Sequence, residues 1–332
     1  MAGASFRKFL MLGGLALWSA ASIVSAWAQT FPNRPLTMIV PFAAGGAADT
    51  TGRIMAEAMA RHLGRPVIVE NAGGAGGAIG SLRGKNARPD GYTIGLGHMG
   101  THAAAVGANA NLGYDPRKDS DYLGLVSTTP NIVFVRNDFP ANSLAEFAEY
   151  ARAKGKDLKM GHSGIGAASH ITCILLFQII GAEPTYVSYR GFGLTINDIL
   201  SGAIDGSCDL VASVSGQVQS GSVKALAVAT PERSPSVPDV PTASEAGMPE
   251  FAAETWTGLY APKGVPADVL AKLREAVAKS LAEPAVQERF IKIGATVPKP
   301  ERRGGDAMQA LVEKEVARWV DILKKAGLPE QQ

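Results

Sequence analysis

Ser163 lies in Gly161-His162-Ser163-Gly164-Ile165, one residue short of a nucleophile elbow. The full G-x-S-x-G motif exposes a serine hydroxyl on a sharp strand-to-helix turn, ready for acyl transfer. Here Ile165 stands where the second glycine is needed, and no HGGG-type oxyanion segment occurs. An exported serine hydrolase using Ser163 and a histidine is therefore the competing reading. The histidines are His62, His98, His102, His162 and His170. His98 and His102 are four residues apart, a spacing that on a helix lets two imidazoles share a metal. The glutamate of H-E-x-x-H is missing and Gly100 predicts a loop, so neither a metal nor a cofactor is expected.

The other stretch able to do chemistry is "LTMIVPFAAGGAADTTGR", residues 36 to 53, where nearly every side chain after Phe42 is small until Asp49. A loop of Gly and Ala entering a helix leaves backbone N–H groups unshielded. The first four N–H groups of a helix lack partners and its dipole favours negative charge, so such a loop suits a carboxylate or phosphate. The alternative is a tight packing turn. The same design recurs as "SGIGAAS", residues 163 to 169, and the repetition favours anion binding. No Gly-Lys-Ser/Thr follows Gly45-Gly46, so the loop is not a P-loop. "GGAGGAIG", residues 73 to 80, places Ile79 at the last glycine of G-x-G-x-x-G, and dinucleotide binding is not expected.

The elements that must position these loops alternate between strand and helix. "LTMIVPF", "PVIVEN" and "YTIGLG" read as buried strands, with a helix from Ala48 to Leu63 and another ending over Ser81 to Asn86. Short apolar runs between helices mark a parallel sheet covered on both faces. The pattern restarts with strand "LKMGHS", a helix from Ser169 to Ile180, strand "PTYVSY", helix "LTINDILSGAI" and strands "CDLVAS" and "VKALAVA". Extended segments "YLGLVSTTPNIVFVRND" and "ETWTGLYAPKG" separate the blocks, and three helices over 267–281, 284–293 and 306–326 must cover the first sheet. The expected class is α/β: two doubly wound sheets joined by two crossing strands into a clamshell. Lobe 1 comprises residues 29–128 and 253–332, and lobe 2 residues 129–252. A ligand would sit where the carboxyl ends of both sheets face one another.

The N-terminus predicts export. Arg7 and Lys8 precede an uncharged apolar run from Phe9 to Val24, and Ala26-Trp27-Ala28 fits a signal-peptidase site. Cleavage after Ala28 gives a soluble protein without a membrane insertion. Removing 28 residues takes two of 32 basic and none of 30 acidic side chains, leaving no net charge. A neutral surface without basic runs argues against nucleic acid or an anionic membrane as partner. Cys173 near a helix start and Cys208 at a strand start should lie at opposite edges of a β/α layer. That separation exceeds the ~7 Å reach of a bridge, so two buried thiols are expected.

Together, "FPNRPLTMIVPFAAGGAADTTGR", "LGRPVIVENAGGAGGAIG", "PDGYTIGLGHMGTHA", "YDPRKD", "SGIGAASH", "RSPSVPDVPTASEAG" and "GLYAPKG" resemble the solute receptors of tripartite tricarboxylate transporters, or Bug-type receptors. The resemblance spans essentially the whole chain after residue 28. It implies a two-lobed periplasmic binding protein of type II-like form, monomeric, that passes a small organic acid to membrane permease subunits. The ligand loops it implies supply Phe42, Ala44, Gly45, Gly46, Asp49, His98, Met99, Thr101, Ser163, Gly166, Ala167, Ser169, Arg190, Phe192 and Asp209. Asp49, an anion, suits the organiser of its loop better than a carboxylate receptor, whereas Arg190 suits the partner of a second carboxylate. Phe192 departs from the small or polar residue usual after Tyr-Arg-Gly, and its ring could stack on a planar ligand. The expected ligand is a dicarboxylate, with an aromatic one such as a benzenedicarboxylate as a specific option.

Overall fold

The computed structural model describes residues 31–109 and 111–325; the expected signal segment and Ala326 lie outside the described residues. Strand β1 (Leu36–Val40) pairs in parallel with β2 (Val67–Asn71) and β3 (Thr93–His98). Helix α1 (Ala47–Leu63) connects β1 to β2, burying Ile54, Met55, Ala58 and Met59 at helical spacing. It stops at Gly64, whose left-handed φ of 66° only glycine adopts without strain. Helix α2 (Ala78–Lys85) precedes β3. After β3 the chain enters a single π-helical turn, Gly100–Ala104, and the short α3 (Ala105–Ala108), so the loop expected at Gly100 is helical instead.

Strand β4 (Ser120–Arg136) ties the molecule together. Its first part, Ser120 to Pro130, pairs antiparallel with β9 (Glu254–Pro262), and its last part, Asn131 to Arg136, pairs with β7 (Gly206–Leu210) and β8 (Val223–Val228). Beyond β7 lie β5 (Lys159–His162) and β6 (Thr185–Ser188), both parallel. The described residues thus form nine strands in the order β2-β1-β3-β9-β4-β7-β5-β6, with β8 on β4. Both ends are parallel β/α arrays and the middle is an antiparallel ribbon.

Helices α4 (Leu144–Lys154), α5 (Ala168–Ile180), α6 (Phe192–Leu200) and α7 (Val211–Gln219) cover the second array. Helix α7 corrects the strand expected over Cys208–Ala212, because β7 ends at Leu210 and turns directly into a helix. Helices α8 (Ala267–Ala282), α9 (Pro284–Lys292) and α10 (Gly305–Lys325) pack on α1, the π-turn and the first part of β4. Met308, Val312, Val316, Trp319 and Leu323 of α10 are buried along one stripe.

Cys173 and Cys208 form a disulfide, with α-carbons 5.3 Å apart. The expectation of two thiols fails because of element boundaries. Helix α5 begins at Ala168 and β7 at Gly206, so each cysteine lies inside its element and the two meet at mid-height of the layer.

Candidate ligand-binding site

A cleft opens at the carboxyl ends of β1, β3, β5 and β7, where α/β sheets place ligands. Its walls include Phe42, Ala43 and Gly46 from one array and Ser163, Ser169, Phe192 and Asp209 from the other. Thr129 of β4 and Thr257 of β9 belong to the ribbon between them. The space among the lining atoms, mouth included, is about 620 Å³.

Four helices begin at this cleft. Gly46 caps α1, Ala167 caps α5, Gly191 caps α6 and Leu210 caps α7; all four line the cleft, and none of the helices receives a side-chain cap. Away from the lining, α2, α3, α8 and α9 also start without a side-chain cap, and α4 has the Ser143 hydroxyl accepting from Glu146 N–H at 3.2 Å. Helix starts without caps leave N–H donors and the positive end of each dipole for something else. No Lys or Arg is among the lining residues. The cleft offers an anion backbone dipoles and hydroxyls rather than a counter-charge.

The first loop is held from behind. Asp49 does not line the cleft; it is 5% exposed, and its carboxylate accepts from Gly45 N–H, Arg53 Nε and Asn71 Nδ2, each at 3.0 Å. Burial pushes its pKa up, but the bonds from Arg53, Gly45 and Asn71 together outweigh that and hold it below the usual carboxylate range. Asn71 also donates to Phe42 O at 3.0 Å, fixing both ends of the turn. Ala44 and Gly45 are exposed and also stand outside the lining.

His98 lines the cleft and stacks on Phe42, ring centroids 4.9 Å apart. Its Nδ1 accepts from Gly100 N–H at 2.8 Å, which leaves the proton of the neutral ring on Nε2. Burial lowers its pKa to about 4. Met99 and Thr101, expected in the ligand set, turn inward with the π-turn. Met99 packs in the core, and the Thr101 hydroxyl is occupied by His98 O at 3.3 Å and His102 Nδ1 at 2.9 Å.

On the opposite wall, Ser163 N–H donates to Ser169 Oγ at 3.0 Å. The nearby imidazoles are engaged elsewhere: His162 Nδ1 accepts from Gly164 N–H and His170 Nδ1 from Gly166 N–H, each at 3.2 Å. Burial lowers their pKa values to about 4 and about 3. Gly166 lies behind the lining, with φ of 79°. Phe192 lines the cleft and also sets its ring edge-on to Phe134, ring centroids 6.5 Å apart. Arg190, expected as the partner of a second carboxylate, is exposed and not among the lining residues.

Thr51, Thr129, Leu210, Ser213 and Thr257 line the cleft without having been foreseen. The available signal was hydroxyls on otherwise apolar crossing strands, in "VSTTPNIV" and "ETWTGLY".

The sequence profile described as Tripartite tricarboxylate transporter family receptor matches residues 51–328. The chain belongs to this family. Among solved structures, the periplasmic binding protein BugD is 40% identical with a TM-score of 0.86, over 91% of this chain and 100% of that one. MatC of Rhodopseudomonas palustris, determined with bound malate, is 41% identical with a TM-score of 0.85, over 88% and 100%. Rpa4515 of the same species, determined with adipate, is 30% identical with a TM-score of 0.85, over 90% and 99%. BugD is a periplasmic binding protein, and MatC and Rpa4515 each hold a small carboxylate.

Proposed function

We propose that this protein is a periplasmic receptor that captures a small dicarboxylate in the cleft and presents it to the permease subunits of a tripartite transporter, without catalysis of its own. The observation that carries this reading is the convergence of four uncapped helix starts on a cleft without Lys or Arg. Each array contributes at least one such start, so two carboxylates can each find backbone donors. The malate and adipate held by MatC and Rpa4515 are both dicarboxylates and support the same class. The chain is read as a monomer, processed after Ala28, whose lobes (residues 29–128 with 253–332, and 129–252) close on the ligand.

The hydrolase reading loses ground because His162 and His170 accept from glycine amides at Nδ1, which leaves the proton of each neutral ring on Nε2 and no base there for a serine hydroxyl. A second ligand reading, a benzenedicarboxylate, is favoured by the two rings of Phe42 and Phe192 in the lining.

Calorimetric titration and thermal shift with diacids, monoacids and neutral sugars test the proposal. A diacid at a hundred times its Kd should add ~2.7 kcal/mol of stability. Gly46→Val should abolish the effect with the fold intact, because a β-carbon there meets no protein atom within 4 Å and points into open space at the lining. Stabilisation by sugars alone, or ester turnover lost in Ser163→Ala, would overturn it.

A further inference from the structure

Asp209 is out of keeping with its surroundings. It is the last residue but one of β7, 5% exposed, and the only carboxylate in the lining of a cleft otherwise furnished with donors. Those donors include the hydroxyls of Thr51, Thr129, Ser163, Ser169, Ser213 and Thr257, His98 and the four helix starts. An unsubstituted diacid brings only acceptors and would set a further negative charge beside Asp209 in a partly desolvated space.

The neighbours of Asp209 treat it as an acceptor. Leu210 N–H donates to its Oδ1 at 2.7 Å, and the Ser213 hydroxyl acts on it in the sense that favours the anion. Burial raises its pKa to about 6, so at neutral pH it remains mostly an anion with no proton to give. A carboxylate has room for about four hydrogen bonds. The acceptor capacity left over faces a cleft whose walls already carry donors of their own.

We infer that Asp209 is a specificity-determining residue, selecting small diacids that carry a hydroxyl or ammonium donor on their carbon chain over unsubstituted ones. The inference rests on the reading of the cleft as a dicarboxylate site. A ligand hydroxyl gives Asp209 a charge-assisted hydrogen bond, and an ammonium adds the counter-charge that the cleft itself lacks. A diacid without either must approach an uncompensated anion. Asp209 keeps its bond from Leu210 N–H in either case, so the discrimination comes from its charge beside the ligand and from the acceptor capacity left unfilled.

The experiment is calorimetric titration at pH 7.5 with succinate, malate and aspartate, a four-carbon series differing only in the C2 substituent. It is run on the wild type, Asp209→Asn and Asp209→Ala. Asparagine keeps an acceptor for Leu210 N–H, so the start of α7 is preserved. The wild type should bind malate or aspartate about tenfold or more tighter than succinate. In Asp209→Asn and Asp209→Ala that preference should fall to about threefold or less, with succinate binding unchanged or tighter. Wild-type binding of all three diacids without preference overturns the inference and leaves the dicarboxylate reading standing. Equal weakening of all three in both variants overturns it too, showing a purely structural role at the helix start. No binding of any diacid by the wild type overturns both readings.

Discussion

Gly76 and Ile165 meet backbone to backbone across the edge of the cleft. A β-carbon on Gly76 would overlap the carbonyl oxygen of Ile165 and come within 3.2 Å of Ala167 N. A β-carbon on Gly164 would in turn stand 2.6 Å from Gly76 N. The "GGAGGAIG" segment, which fits no nucleotide motif, is therefore one side of a seam between the two arrays. Ala43 and Gly191 make a second contact of this kind, 3.3 Å from the methyl of Ala43 to a β-carbon built on Gly191.

Gly76→Ala should weaken every ligand by about tenfold or more while leaving the order of preference unchanged. Gly76 does not line the cleft, so the loss would come from closure and not from contact. Its φ of 65° adds strain of about 1 kcal/mol for alanine. Titration calorimetry with two diacids checks this. A change in ligand ranking would place Gly76 at the ligand instead.

The partner change of β4 between Pro130 and Asn131 gives the two arrays a shared strand about which to move. Small-angle scattering should show the radius of gyration falling when a saturating diacid is added. An unchanged radius would mean arrays that are fixed relative to each other.

Much of this was legible in the sequence, and what was missed has physical reasons. The apolar runs of β1 and β3 and the small-residue turns after β1 and β5 pointed to two walls of the cleft. Asp49 declared its role through its position early in a helix. The inward turn of Met99 and Thr101 was hidden because a π-turn has no distinct residue pattern. Helix α7 was missed because "VASVSGQVQ" is rich in β-branched residues and contains Gly216, so it reads as strand and loop. That error concealed Ser213, while the disulfide was hidden by the starts of α5 and β7. Arg190 looked suited to a carboxylate by charge alone, and charge does not tell which way a side chain points.

Asp209 gives the stability a pH dependence of definite sign. Its pKa is about 6 in the folded chain against an ordinary 3.8 for aspartate, so the folded state holds its proton longer. That contribution is present below about pH 4 and is lost as pH rises through 6, roughly 3 kcal/mol in all. The buried histidines act oppositely. His98 and His162 at about 4, and His102 and His170 at about 3, are stabilising above their unfolded value of 6.5 and lose that contribution as pH falls. The Asp209 effect must therefore be read as a difference. Denaturant unfolding should show Asp209→Asn gaining stability over the wild type between pH 4 and 7, with a constant difference above. A difference independent of pH would mean an ordinary carboxyl.

Phe192→Ala should weaken a benzenedicarboxylate about tenfold and leave succinate within about twofold, since ring stacking adds ~0.5–1.5 kcal/mol beyond area burial. Competition binding measures both. Tighter binding of succinate than of any aromatic acid removes the aromatic reading.

The Cys173–Cys208 bridge makes the ligand wall depend on where the chain matures. It joins α5, which carries Ser169, to β7, where Asp209 is the very next residue. Such a bond persists where thiols are oxidised and not in a reducing cytosol. Closing a loop between residues 35 apart should contribute roughly 3–4 kcal/mol, so reductant should lower the melting temperature by several degrees. A copy retained among cytosolic metabolites would hold its second wall less firmly than one that has reached an oxidising compartment.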